Sequence, residues 1–118
     1  MSNIAELNAE LDRMVLSGQA MEAFEKFYTE DLVMQENTAP PTVGKAANRE
    51  REIAFFSSIE QFHGAQVLST GAGDNVSFTE VEMEVTFKGG PRITMTQVAV
   101  RRWKDGQIYH ERFYYSKG

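Results

Sequence analysis

Near residue 60 the hydrophobic period of this 118-residue chain changes, and that change constrains the fold more than any short motif does. Before it, apolar residues recur at helical spacing. After it, they alternate between turn signals at Gly71 to Asn75, Gly89-Gly90-Pro91 and Asp105-Gly106, which leave runs of roughly ten to thirteen residues. Ile4, Leu7, Leu11, Met14 and Val15 place a helix over 3–17, with Ser2 or Asn3 as N-cap, Glu6 completing a capping box and Gly18 as the left-handed stop. Met21, Phe24, Phe27 and Tyr28 give a second helix ending near Thr29, so the chain opens with a helical hairpin. Leu32, Val33 and Met34 read as a short strand over 31–36, Asn37 to Pro41 as a loop, and Gly44 opens a third helix over 45–59. Its apolar side is Ala46, Ile53, Phe56 and Ile59, and the run Asn48-Arg49-Glu50-Arg51-Glu52 reads as its solvated side.

Within 75–88 the apolar positions are Val76 and Phe78, then Val81, Met83, Val85 and Phe87, so the parity flips between 78 and 81. A pleated strand changes its buried face only by gaining a residue, which predicts a β-bulge near Thr79-Glu80 and a bent sheet. The next run carries Ile93 and Met95 on one parity and Val98 and Val100 on the other. Two apolar faces call for two covers: helices on the concave face, and a second copy of the chain on the outer face in a homodimer.

With 12 Lys and Arg against 17 Asp and Glu, the net charge of -5 repels nucleic acid and anionic membrane surfaces. The absence of cysteine excludes disulfides, thiolate catalysis and Cys-ligated metal. His63 and His110 have no acidic partner at a ligand spacing, so neither a metal nor a cofactor is expected. The chain does not open with a basic stretch and an apolar run, and a single cytoplasmic domain over 1–118 is expected.

The order of elements, with the stretches Gly18 to Asn37, Pro41 to Ala46 and Val100 to Tyr115, resembles the SnoaL-like branch of the nuclear transport factor 2-like (ketosteroid isomerase-like) superfamily. The resemblance implies a cone-shaped, cystatin-like α+β fold in which three N-terminal helices pack on a strongly curved antiparallel sheet and enclose an apolar pocket. Isomerase-like members carry their general base just after the first short strand, and FYTEDLVMQEN puts Glu36 there. Polyketide-cyclase relatives carry an acid–base carboxylate on the closing strands, where Glu111 is the nearest group. The oxyanion donors of the isomerases fall at Leu11 and Ala99, whose side chains donate nothing, so that part of the machinery is not implied.

A carboxylate in an apolar cavity loses hydration and its pKa rises, which would make Glu36 a competent base; the alternative is a solvated rim group. Glu111 shares a strand face with Tyr109, Phe113 and Tyr115, and its alternative is a carboxylate neutralised by Arg101 or Arg92. A three-residue turn with Gly106 at a bulge puts Ala99 and Arg101 beside Glu111, whereas a two-residue Asp-Gly turn puts Val98, Val100 and Arg102 there. Gln97 offers a mid-strand amide to a ligand carbonyl, and Tyr28, Met34, Phe56, Met83, Trp103, Phe113 and Tyr115 complete the expected lining. The predicted function is binding of an apolar, oxygenated organic molecule, with isomerisation, cyclisation or dehydration through Glu36. A non-catalytic binding or dimerisation module is the alternative.

Overall fold

The computed structural model describes residues 3–116; Ser2 lies outside them. Helix α1 (Ile4–Leu16) begins where the Asn3 side chain accepts a 2.8 Å bond from the Ala5 amide, and it ends at Gly18, whose φ of 85° is left-handed. Helix α2 (Ala20–Phe27) runs directly into β1 (Tyr28–Glu36) because Tyr28 is already extended. The buried Lys45 ammonium makes this junction possible, donating to the carbonyls of Glu25 (3.0 Å) and Tyr28 (2.9 Å) that the helix end leaves unpaired.

Strand β2 (Thr42–Val43) and helix α3 (Lys45–Ser57) follow, then β3 (Ile59–Gly73), β4 (Val76–Phe87), β5 (Arg92–Lys104) and β6 (Gln107–Tyr114). The six strands form one sheet in the order β2-β1-β6-β5-β4-β3. Every pair is antiparallel except β1 with β6, which is parallel and sets the start of the chain beside its end. The apolar core under α1 and α2 is built from Leu11, Phe24, Phe27, Leu32, Met34, Trp103 and Ile108, all buried.

Three expectations about faces are corrected. The predicted bulge near Thr79-Glu80 is absent from β4, whose register with β5 runs unbroken from Val76 to Thr86. Ser77 and Thr79 face inward with Val81, Met83 and Val85, while Phe78 is 41% exposed on the outer face. The parity appeared to flip because the inward positions at that end of the strand are polar. Register slips occur instead in β3, between Ile59 and Gln61, Phe62 and Gly64, and Val67 and Ser69.

Helix α3 is turned the other way from its amphipathic reading. Lys45 and Asn48 are buried, Glu52 is half-buried, and Ile53 and Phe56 are exposed. Asn48 fixes this rotation, its amide donating to the carbonyls of Leu32 (3.3 Å), Thr42 (3.0 Å) and Gly44 (2.8 Å). The last hairpin has the two-residue turn, with Asp105 (φ 53°) and Gly106 (φ 79°) between the paired Lys104 and Gln107. Trp103 then pairs with Ile108 and Arg102 with His110, so Tyr109 is an extra residue. That bulge brings Ala99 and Arg101 to Glu111's face, the outcome expected only of the longer turn.

Candidate functional site

Cross-strand pairing sets the concave face out in rows. Next to the buried set Tyr28, Ile108 and Trp103, the inner row is Met34, Glu111, Arg101 and Ser77, all buried. Glu36, Phe113, Ala99 and Thr79 form the next, and Gln97 with Val81, both half-buried, lie beyond. Further along the same face Met83 is half-buried and Val85 is fully buried again.

The inner row is held by a buried polar network. Arg101 donates from Nε to Glu111 (2.8 Å) and from one terminal nitrogen to Asn8 (2.7 Å), Asp12 (2.8 Å) and Thr79 (3.1 Å). Tyr28 donates to the other Glu111 oxygen at 2.8 Å, Thr79 to Asp12 at 2.7 Å, Ser77 to Asn8 at 2.9 Å and the Trp103 indole to Ser77 at 2.8 Å. Burial opposes the Arg101 charge, but Glu111, Tyr28 and Asp12 outweigh it and raise its pKa above the ordinary value. Burial, then the Glu111 charge, pushes the Tyr28 hydroxyl well above its usual range. With both oxygens engaged and 1% of its surface exposed, Glu111 is the Arg101-paired carboxylate of the alternative reading.

Glu36 ends β1 at the rim. Arg51 donates to one of its oxygens at 2.8 Å and the Tyr115 hydroxyl to the other at 3.0 Å, and its side chain remains 43% exposed. Burial and the Glu36 bond raise the Tyr115 pKa. Glu52, which the sequence places on the solvated side of the third helix, lies one turn beyond the buried Asn48. Half-buried, it has no hydrogen-bond partner among the described residues. Burial, then the Glu111 charge, lifts its pKa from 4.5 to about 7, with Arg51 pulling down and Glu36 adding to the rise. Its burial depends on the rotation of α3, which the polar run Asn48 to Glu52 disguises.

The expected lining divides. Met83, Gln97, Phe113 and Tyr115 face the concave side and are half-buried, and no described group bonds the Gln97 amide. Tyr28 and Met34 are buried in the inner rows. Two residues lie elsewhere: Phe56 is on the outer side of α3, and Trp103 is 2% exposed, edge-on to Phe27, with its N–H taken by Ser77. A solvent-open concavity of about 720 Å³ is bordered by Thr29, Asp31, Asn75, Trp103, Lys104 and Asp105, and none of Glu36, Glu52 and Glu111 lines it. His63 bonds Thr86 at 2.8 Å; His110, on the face opposite Glu111, has its pKa lowered by burial, then Arg102 and Arg112. No described group of three His, Asp or Glu is arranged to hold a metal, and no described helix is long and apolar enough to cross a membrane.

The model of the SnoaL-like domain matches residues 3–115. The chain belongs to the SnoaL-like family. No curated protein matches it. Among solved structures, a Mesorhizobium loti protein named as a SnoaL-like polyketide cyclase is similar at 27% identity and a TM-score of 0.85, over 97% of this chain and 100% of that one. An epoxide hydrolase from M. tuberculosis shares 18% identity and a TM-score of 0.73, over 92% of this chain and 79% of its own. A ketosteroid isomerase-like protein from Catenulispora acidiphila, solved with trimethylamine, shares 14% and 0.76, over 92% and 85%. At these identities the last two speak for the SnoaL-like fold alone, a scaffold that carries several chemistries.

Proposed function

We propose that this SnoaL-like protein binds an apolar, oxygenated organic molecule at the open end of the cone and catalyses proton transfer, with Glu52 as the acid–base group. One observation carries the reading. Of the four carboxylates around the site, Asp12, Glu36 and Glu111 each accept bonds from neighbours, whereas Glu52 is half-buried with no described partner. A carboxyl poised near neutrality and free to bond a ligand suits abstraction of a proton next to a carbonyl, the step shared by isomerisation, cyclisation and dehydration. Glu36 then serves as a rim group that seats Arg51 and Tyr115, and Gln97 orients the ligand. The homodimer, joined through the outer sheet face, belongs to the same proposal.

The test is proton–deuterium exchange into a panel of small carbonyl compounds, followed by NMR with wild type, Glu52→Gln and Glu36→Gln. The expected result is exchange that Glu52→Gln lowers at least about a hundredfold, the usual scale of general-base catalysis, and that Glu36→Gln lowers less. Equal exchange by wild type and Glu52→Gln removes Glu52 as the base. Ligand binding without exchange by any form favours the binding-module alternative.

A further inference from the structure

We propose that the outer sheet face is an isologous interface in which the basic cluster Arg102, His110 and Arg112 of each copy meets Glu80 and Glu82 of the other. This rests on the homodimer of the proposed function and adds the contacts that make a second copy the partner. Cross-strand pairing sets the face out in rows. Arg102 on β5 stands beside His110 on β6, and the next row joins Phe78, Val100 and Arg112. Glu80, Val98 and Tyr114 form the third row, and Glu82 with Thr96 the fourth. Cations therefore occupy one corner of the face and carboxylates the diagonally opposite corner, with Phe78, Val98, Val100 and Tyr114 between them.

Neither corner is neutralised within its own chain. Among the described residues no carboxylate pairs with Arg102 or Arg112. Arg112 instead gives its Nε to the Asn37 carbonyl at 2.9 Å and lies 5.0 Å from the Tyr114 ring centre. Glu80 and Glu82 take only neutral donors, Ser69 at 3.0 Å for the first, Gln66 at 3.2 Å and Thr96 at 3.4 Å for the second. Glu84, next on β4, already holds Arg92 at 2.8 Å. His110 adds a donor to the basic corner. Its Nδ1 is buried with no partner among the described residues, which places the ring proton on Nε2, the nitrogen able to meet an acceptor from outside. In the apolar middle the Phe78 ring lies across Gly71, where a Cβ would overlap it. A two-fold axis lying in the contact plane, through Val98 and Val100, exchanges the two corners and stacks the apolar middle on itself. A partner of a single charge sign would suit one corner only, whereas a second copy suits both.

Sedimentation velocity of the full chain, with Arg102→Glu, Glu80→Arg and an equimolar mixture of the two variants, tests the arrangement. Each reversal alone sets like charges together at both symmetry-related contacts and is expected to weaken the dimer at least about tenfold. In the mixture, one chain of each variant restores opposite charges at both contacts, so heterodimers close to wild-type strength are expected. Association gained on mixing cannot come from misfolded chains, and Glu82→Arg in place of Glu80→Arg gives a second pairing. Single variants that dimerise as tightly as wild type, or a mixture no more associated than its components, overturn the arrangement and leave the homodimer itself standing. A wild type that stays monomeric removes both. Proton–deuterium exchange through Glu52 is read separately and is touched by none of these results.

Discussion

Replacing Glu52 by Gln is expected to stabilise the protein in alkali and to change little in acid. The folded-state pKa of Glu52 is raised from 4.5 to about 7. Below about pH 4.5 the carboxyl is protonated in both folded and unfolded chains and imposes no penalty. As pH rises through 7, the unfolded chain has already ionised and the folded one must ionise against its surroundings, so stability present in acid is lost. A shift of this size amounts to about 3 kcal/mol at full burial, or about 2 kcal/mol once solvent screening of the half-buried side chain is allowed for. For a chain of this length about 2 kcal/mol corresponds to roughly 8 °C in Tm. Gln keeps the shape of the protonated acid, so the variant should match wild type near pH 4 and melt about 8 °C higher near pH 8. Thermal unfolding followed by fluorescence of the single tryptophan, buried Trp103, at constant ionic strength, measures this. A Tm difference that does not change with pH would show that Glu52 titrates as an ordinary surface carboxyl.

Arg101→Met removes the cation shared by Asp12 and Glu111 and should cost about 3–5 kcal/mol, or roughly 12–20 °C in Tm. A drop under about 4 °C would mean the network is solvated and contributes little. On the outer face Phe78 and Tyr114 are 41% and 43% exposed, with Val98 and Val100 paired beside them. Light scattering after size exclusion should find a dimer that Phe78→Glu converts to monomer, and a monomeric wild type would end the homodimer proposal.

The parts of the fold legible in the sequence are those fixed by local chemistry. Asn3 and Gly18 bound the first helix, and Asp105-Gly106 marks the last turn, because caps and left-handed residues act within a few positions. Which face each element buries was far less legible, for a physical reason. Amphipathic reading assumes that the interior is apolar, and here Lys45, Asn48, Ser77, Thr79 and Arg101 are all buried. The assumption turned α3 outward and placed a bulge in β4. Glu111 is a candidate through the resemblance to polyketide-cyclase relatives, whereas the bulge at Tyr109 that settles its partner leaves no mark in composition. Glu52 was missed because its burial depends on where Asn48 docks, a contact reaching back to β1.

The parallel pairing of β1 with β6 explains why these carboxylates meet at all. It sets Met34 beside Glu111 and Glu36 beside Phe113, joining residues from the two ends of the chain on one face, and α3 packs across β1 to deliver Glu52. Three acids then approach two arginines, Arg101 already shared with Asp12 and Arg51 held by Glu36. The acid left over is the half-buried Glu52. The stability lost as Glu52 ionises and the poise of its proton are thus two readings of one electrostatic imbalance.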